Sequence, residues 1–318
     1  MMMHVPPHIA IMVTTFRRPA SLSHTLESLA QQRLSNASMT LHIIDNDADP
    51  AVEALVSRFR NRSGMAVAYH AEPKQGIASA RNHALDLVTG EMDYIAFIDD
   101  DEVASPLWLE SLLRTALQFN ARIVQGPVEP VYEEAPPLWF REGRFTALGP
   151  FREGAELRFG FSGNVLLSAQ LVRASGLRFE TCFDRSGGED QHFFMLMMAN
   201  GERIITSRDA IVFEVIPPSR VGFGDFLRRR FRIGATLTMA WKLIRNDGHI
   251  VFKRMAVGAG HACWGALQCL LPWHWFASQL AADIGRMVYG IGQIAGATGW
   301  SIPSYQSIHT SGLDRKGS

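Results

Sequence analysis

Three consecutive carboxylates, Asp99, Asp100 and Asp101, directly follow an apolar run, Tyr94-Ile95-Ala96-Phe97-Ile98. A short run rich in aromatic and branched side chains reads as a strand buried on both faces, as in a parallel sheet. Carboxylates at its end cannot be buried unpaired, so they face a cleft and need a cation. Hard oxygen ligands suit Mg²⁺ or Mn²⁺, and Mg²⁺ typically sits between one or two carboxylates and substrate phosphates. The alternative is a solvated acidic loop leading into a helix near Pro106. A second acidic pair, Glu189-Asp190, follows Gly187-Gly188 and opens an apolar helix. Acidic residues there are ordinary capping. The functional reading is that the glycines let backbone approach a ligand, while the helix dipole keeps Asp190 ionised, as a general base requires. A third cluster, Phe226 to Gly234 (FLRRRFRIG), carries Arg228, Arg229, Arg230 and Arg232. It is either a solvated or membrane-facing basic stripe or a clamp for a diphosphate, to which the guanidinium fork is suited.

The elements that position these groups alternate strand and helix. Strands are expected at 8–14, 40–44, 66–69, 94–98 and 121–125, with helices at 22–29, 50–59, 77–88 and 106–119 between them. Such alternation means a parallel sheet with helices on both faces, whose ligands bind outside the carboxyl ends of the strands. Three strands end in ligand-type residues on that edge: Thr14-Thr15, Asp45 and Asp99. There is no GxGxxG after the first strand and no P-loop, so neither signature points to a dinucleotide fold or an NTPase. Residues 126–161 read as an irregular, functional or mobile loop. A strand at 165–167, a helix at 191–199 and two strands at 203–206 and 210–215 follow.

The 318 residues have a formal net charge of zero, which argues against a nucleic-acid partner. Three cysteines form no CxxC pair, as suits a reducing compartment. No cationic segment precedes the first strand, so no signal peptide is expected. Mean hydropathy is slightly positive, and the excess lies after residue 250. From Met255 to Trp275 there is no Asp, Glu, Lys or Arg. Together with 287–300 this reads as interfacial or re-entrant helices, with Trp264, Trp273 and Trp275 at the headgroup level of an anionic membrane. A true span or a dimerisation face are the other readings. The chain divides into a catalytic part, 1–220, and a basic, hydrophobic helical part, 221–318.

The motifs VTTFRRP, Asp45-Asn46, GIASARN (Gly76 to Asn82), FIDDDE, SGGED and RRRFRIG, in this order, resemble those of family 2 glycosyltransferases of the GT-A fold. Within that family the chain is most similar to bacterial transferases that build succinoglycan-type exopolysaccharide on a lipid carrier. The resemblance implies a Rossmann-like, mostly parallel mixed sheet and an inverting transfer from a UDP-sugar, with UDP-glucose as first candidate. The acceptor would be a polyprenyl-diphosphate-linked saccharide at the inner membrane surface. It also implies residue roles. Thr14, Thr15, Arg17 and Asp45 would line the uridine pocket with Arg81 nearby, and Asp99 and Asp100 would lie against the nucleotide sugar. Asp101, with Asp99, would hold Mg²⁺ or Mn²⁺, although the family pattern leaves Asp100 open as the ligand. Arg230 and Arg232 would clamp the diphosphate. Asp190 would be the base and Glu189 its neighbour at the acceptor or donor sugar. Trp139 and Asn164 are expected at the acceptor. Processive members carry QxxRW where this chain has RRRFRIG, which implies addition of a single sugar. The competing readings are a sugar nucleotidyltransferase and a membrane-bound nucleotide-sugar scaffold without turnover.

Overall fold

The computed structural model describes residues 6–245, 247–272 and 276–300. In chain order it contains β1 (His8–Thr15), α1 (Pro19–Ala30), β2 (Ser38–Asp45), α2 (Pro50–Ser63), β3 (Val67–Ala71), α3 (Ile77–Asp86) and β4 (Tyr94–Asp99). Next come β5 (Glu102–Ala104), α4 (Trp108–Phe119), β6 (Ile123–Gln125), β7 (Val128–Tyr132), α5 (Leu138–Gly143), β8 (Glu156–Leu157), β9 (Val165–Ser168) and α6 (Ala169–Ser175). The chain ends with α7 (Glu189–Ala199), β10 (Ile204–Thr206), β11 (Val212–Ile216), α8 (Phe223–Arg245), α9 (Gly248–Cys269) and α10 (Ala277–Ala297).

The main sheet has the order β3-β2-β1-β4-β9-β6-β10-β8. β1 to β4 are mutually parallel, and β6 is parallel to β10. β9 runs antiparallel between β4 and β6, and β8 antiparallel on the far edge. The sheet is therefore mixed but mostly parallel, as expected. Strand alternation builds its two faces. On β1, Ile9, Ile11 and Val13 pack with Leu22, Leu26, Val52, Val56, Leu109 and Leu112 of α1, α2 and α4. Ala10 and Met12 pack on the opposite face with α3, α6 and α7, through Ala80, Ala84, Leu171, Phe193 and Met197. Register sets the functional edge, because Thr14 lies opposite Asp99 and Thr15 opposite Asp45.

One expectation needs correction. The segment 126–161 is not structureless, for it contains β7, α5 and β8. The last two strands form where expected but in different sheets. β10 joins the main sheet, whereas β11 lies between β5 (antiparallel) and β7 (parallel) in a separate three-stranded sheet. That small sheet lies beside the acidic run, because β5 begins immediately after Asp101.

The C-terminal segment forms three long helices, with α10 packed on both α8 and α9. Glycines make the close approach possible. A Cβ on Gly292 or Gly296 would run into the carbonyl oxygens of Phe231 and Ala235 on α8. A Cβ on Gly290 would meet the carbonyl of Gly258 on α9. Most of the expected short segment 287–300, up to Ala297, is thus the end of a 21-residue helix. Its charged residues Asp283 and Arg286 interrupt the apolar run without ending the helix, and Asp283 is buried. No helix among the described residues is long and apolar enough to cross a membrane. Trp264 is half exposed on α9; Trp273 and Trp275 lie outside the described residues.

Candidate active site

The acidic run turns the corner from β4 into β5, and its three carboxylates have different surroundings. Asp99 is the most open, with a side chain 39% exposed, and its Oδ1 accepts from Arg81 Nη2 at 3.3 Å. Asp100 is buried, accepting from Thr15 Oγ1 at 2.7 Å and from Arg18 Nη1 at 3.2 Å. Asp101 accepts from the same Arg18 nitrogen at 2.8 Å and lies 3.9 Å from Arg220 Nη1. Arg220 in turn pairs with Glu214 of β11 at 2.7 Å. Exposure falls from Asp99 at 39% through Asp101 at 16% to Asp100 at 8%, an order that the spacing alone did not give.

Glu189 and Asp190 open α7 as expected, with Gly188 at its N-cap in the left-handed region. Glu189 is buried and ion-paired with Arg81, so Arg81 bridges the two acidic clusters. Arg81 itself is only 4% exposed, and it sits on α3, which the motif GIASARN begins. Burial pushes Glu189 up to about 7 against the opposing pull of Arg81, and raises Asp190 as well. Arg81 and Arg232 favour the ionised form of Asp190. Asp99, although the most open of the three, is raised by desolvation within the crowded cleft, Asp100 is pushed to about 7 by burial against the pull of Arg18, and Glu102 is raised well above the usual carboxylate range, again by burial. Mutual repulsion adds to each. A crowd of carboxylates held this far from their ordinary acidity is a functional-site signature.

Several predicted residues are placed differently. Asp45 is fully buried, and its carboxylate accepts from the backbone N–H groups of Asp47 (3.1 Å) and Asp49 (2.7 Å) and from the Tyr69 hydroxyl (2.9 Å). It therefore shapes the loop after β2 instead of lining a pocket. Thr15 is likewise committed to Asp100, and Asp100 to the interior. The open rim consists of Thr14, Arg17 and Asp47, with the Arg17 fork on Asp47 at 2.8 and 3.0 Å and Gln75 donating to the same carboxylate at 3.2 Å. Asn164, expected at the acceptor, is entirely buried. It accepts from Trp108 Nε1 and donates to the carbonyls of Pro127 and Ala210, each at 2.7 Å. Its amide joins β9 to the small sheet. Trp139 is partly exposed and packs edge-on against Phe140, Phe223 and Phe226. Arg230 is turned away from the acidic residues: it covers the Phe226 ring and lies against Gly285 of α10. The helical period separates it from its neighbours. Arg232 is near Asp190, while Arg229 lies by Arg220, Glu214 and Asp225 and is pulled down to about 10, chiefly by burial.

Sequence reasoning missed Arg18, Glu102, Gly163, Glu214 and Arg220, and named Arg229 in the arginine cluster without choosing it for the clamp. Glu102 accepts the Asp99 backbone N–H at 3.0 Å. A Cβ on Gly163 would come within 3.0 Å of Glu102 Oε1 and 3.1 Å of Asp99 Oδ2, so that glycine is the floor beneath Asp99. The letters FIDDDE and SGN contained both signals; Arg220 and Glu214 carried none, because only the small sheet brings them here. Among the described residues no group of three or more His, Cys, Asp or Glu is arranged to hold a metal by itself.

Residues 10–176 match the profile described as glycosyl transferase family 2, and residues 94–300 match glycosyl transferase family group 2. The succinoglycan biosynthesis protein ExoM of Rhizobium meliloti (strain 1021) is 40% identical over 230 residues, covering 72% of this chain and 74% of that protein. Hyaluronan synthase of Pasteurella multocida is 22% identical over 245 residues, 67% of this chain and 25% of its own length. Among solved structures, S. aureus TarS 1-349 in complex with UDP superposes with a TM-score of 0.54 at 15% identity, covering 92% of both chains. The last likeness concerns the fold, which is GT-A. By profile and by relative, the chain belongs to glycosyl transferase family 2 and is a glycosyltransferase.

Proposed function

We propose that the protein is an inverting enzyme that moves one sugar, with glucose the first candidate, from a UDP-sugar to a polyprenyl-diphosphate-linked saccharide in bacterial exopolysaccharide synthesis. The observation that carries the reading is the pairing of two acidic clusters through Arg81: open carboxylates at the end of β4, and Glu189-Asp190 at the start of α7. The name of the ExoM relative and the UDP in the TarS complex support the pathway and the nucleotide. Asp99 and Asp101 fit a Mg²⁺ or Mn²⁺ ion, since two hard carboxylates suffice when diphosphate oxygens and water complete the shell. When bound, that ion supplies Lewis-acid neutralisation of the departing diphosphate.

The chain's own residues account for the rest of the step. An acceptor hydroxyl oxygen attacks the anomeric carbon, and the bond from that carbon to the diphosphate oxygen breaks, its electron pair leaving with UDP. Asp190 takes the hydroxyl proton. The transition state resembles an oxocarbenium ion, as in glycoside hydrolysis, and Arg229 and Arg232 meet the diphosphate charge. Arg81 holds Asp99 and Glu189 at fixed places on either side. Thr14, Arg17 and Asp47 border the nucleoside, and Trp139 with Phe223 forms an aromatic wall on the acceptor side. Residues 1–220 are then the catalytic part. Residues 221–318 seat the enzyme peripherally on the cytoplasmic face of the inner membrane. Support for this comes from α9, where Phe252, Met255, Trp264, Leu267 and Leu270 are all exposed.

The test is calorimetric titration of UDP and GDP with and without Mn²⁺, followed by turnover of UDP-sugars with lipid acceptor. Metal-dependent UDP binding is expected, lost in Asp101→Ala. Asp190→Asn should still bind UDP, with turnover lower on the order of 10²–10⁴-fold, the usual worth of a general base. Folded protein that binds neither nucleotide would refute the reading. UDP binding without turnover in the wild type would move it to a scaffold.

A further inference from the structure

Asp184 lies outside both acidic clusters, five residues before Glu189, and the reaction step above leaves it unused. Its carboxylate is turned to the N-terminus of α3. Oδ1 accepts from the backbone N–H groups of Ala78 at 2.9 Å and Ser79 at 3.2 Å, and Oδ2 accepts from the Ser79 hydroxyl at 3.3 Å. Gly76, at the N-cap of α3, has φ 148 and no side chain with which to cap the helix. A Cβ at that position would collide with the Asp184 carboxylate. The helix is therefore capped from 105 residues away in sequence, by a carboxylate that satisfies two orphan N–H groups and complements the dipole. One turn further on, Asn82 donates to Phe179 O and accepts from Phe179 N, both at 2.8 Å. Between these two fastenings α3 carries Arg81, the residue that joins Asp99 to Glu189.

We infer that Asp184 is a positioning residue: by locking the α3 N-terminus to the turn that carries Glu189 and Asp190, it fixes Arg81 between the donor-side and acceptor-side carboxylates. The connection forms a closed circuit. Residues 184–189 touch α3 twice, through Asp184 at its first turn and through Glu189 at Arg81. The same turn is held from behind, because a Cβ on Gly188 would lie 2.6 Å from Thr236 Cβ on α8. Gly76 extends the circuit to the nucleotide side, since its N–H donates to Asn46 Oδ1 at 2.8 Å. Asn46 in turn donates to the Lys74 carbonyl at 2.8 Å. Binding at the rim after β2 and placement of the base thus share one helix N-terminus.

The inference rests on the base assignment for its catalytic consequence and not for its structural half, so two readouts are needed. The first is amide hydrogen exchange of the ligand-free full-length chain. Asp184→Ala should speed exchange at residues 77–80 at least tenfold while the central strands keep their protection. The second is steady-state kinetics corrected for the folded fraction. kcat should fall at least tenfold in Asp184→Ala with KM for the UDP-sugar changed less than threefold. Asp184→Asn, which keeps one acceptor oxygen for the two N–H groups, should recover most of it. Local exchange without the kcat loss, or a lowered Tm with unchanged kcat per folded molecule, overturns the positioning role. If Asp184→Ala does not fold, Asp184→Asn alone must show faster exchange at 77–80 and a kcat loss of at least twofold; unchanged values of both overturn the inference. Near-normal turnover of Asp190→Asn sinks the base assignment instead, and leaves the exchange result standing.

Discussion

Arg81 and Glu189 are both nearly excluded from water, and each needs the other. Breaking such a pair by removing one partner leaves a buried charge uncompensated, at a cost of about 3–5 kcal/mol. Arg81→Gln should therefore lower the denaturation midpoint well beyond the effect of a surface change, and should abolish turnover in whatever fraction stays folded; a melt indistinguishable from wild type would contradict the buried pairing. The acidities make separate predictions. Burial raises Glu189 to about 7 against the pull of Arg81, so ionising it inside the fold costs more than Arg81 alone returns. Stability from this group is full below the unfolded value and is lost as pH rises through about 7. Thermal melts of ligand-free protein should accordingly give a higher Tm at pH 5 than at pH 8. Turnover runs the other way. As the proposed base, Asp190 must be ionised to accept a proton, and burial raises its pKa, so kcat should fall toward acid with a limb above the usual aspartate range. Arg232 helps hold that limb down, and Arg232→Gln should move it to higher pH in a pH–rate profile.

At the level of elements, what the sequence made legible was periodic. β1 shows strict alternation, with Ile9, Ile11 and Val13 to one face and Ala10 and Met12 to the other, and each of the first helices repeats its leucines or valines at helical spacing. Those patterns specify the parallel half of the sheet and hence the edge on which Thr14 and Asp99 meet. β5, β7 and β8 escaped because they are two to five residues long, too short to display a period, and because their pairing is set by distant segments. The candidate site divides along the same line. Carboxylates in DDD and GGED announce themselves; Arg18, Glu214 and Arg220 become relevant only once the small sheet folds. Asn164 shows how a motif can mislead. The resemblance places it at the acceptor, yet its amide is the hub of β9, α4 and the small sheet. Asn164→Ala should thus destabilise the fold by about 2–4 kcal/mol, at about 1 kcal/mol for each of its three hydrogen bonds plus the stranded indole N–H, while UDP binding by folded protein stays near wild type. The helical end follows close packing instead of polarity: Gly292→Leu should split α10 from α8, seen as faster exchange in both helices, because no rotamer relieves contact with the Phe231 carbonyl.

For the whole molecule, α8 is the element that connects chemistry to the C-terminal bundle. Its first half carries Arg229 and Arg232 beside the acidic clusters, while Phe226, Phe231 and Ala235 along the same helix pack on α10, which also holds α9. Removing everything after residue 250 would therefore strip the partner from α8 and expose its inner face, so truncation would remove a packing layer along with any surface contact. Surface substitution separates the two. Along α9 and at its C-cap, Phe252 is 75% exposed and Trp264, Leu267 and Leu270 are at least half exposed. Exposed Lys253 and Arg245 lie at the end of the bundle where α8 passes to α9. An apolar stripe with cations at one end suits a bilayer surface rich in anionic lipid. The intact chain should float with vesicles containing anionic lipid, and binding should weaken as salt is raised. Trp264→Glu with Leu267→Glu should reduce partitioning by more than tenfold, since burying one side chain of this size contributes about 1.5–3 kcal/mol. Neither residue touches the site, so UDP affinity should not change. Wild-type protein that stays with the lipid-free fraction at low salt would leave this stripe without a bilayer partner, and the proposed lipid-linked acceptor would then have to reach Asp190 without help from α9.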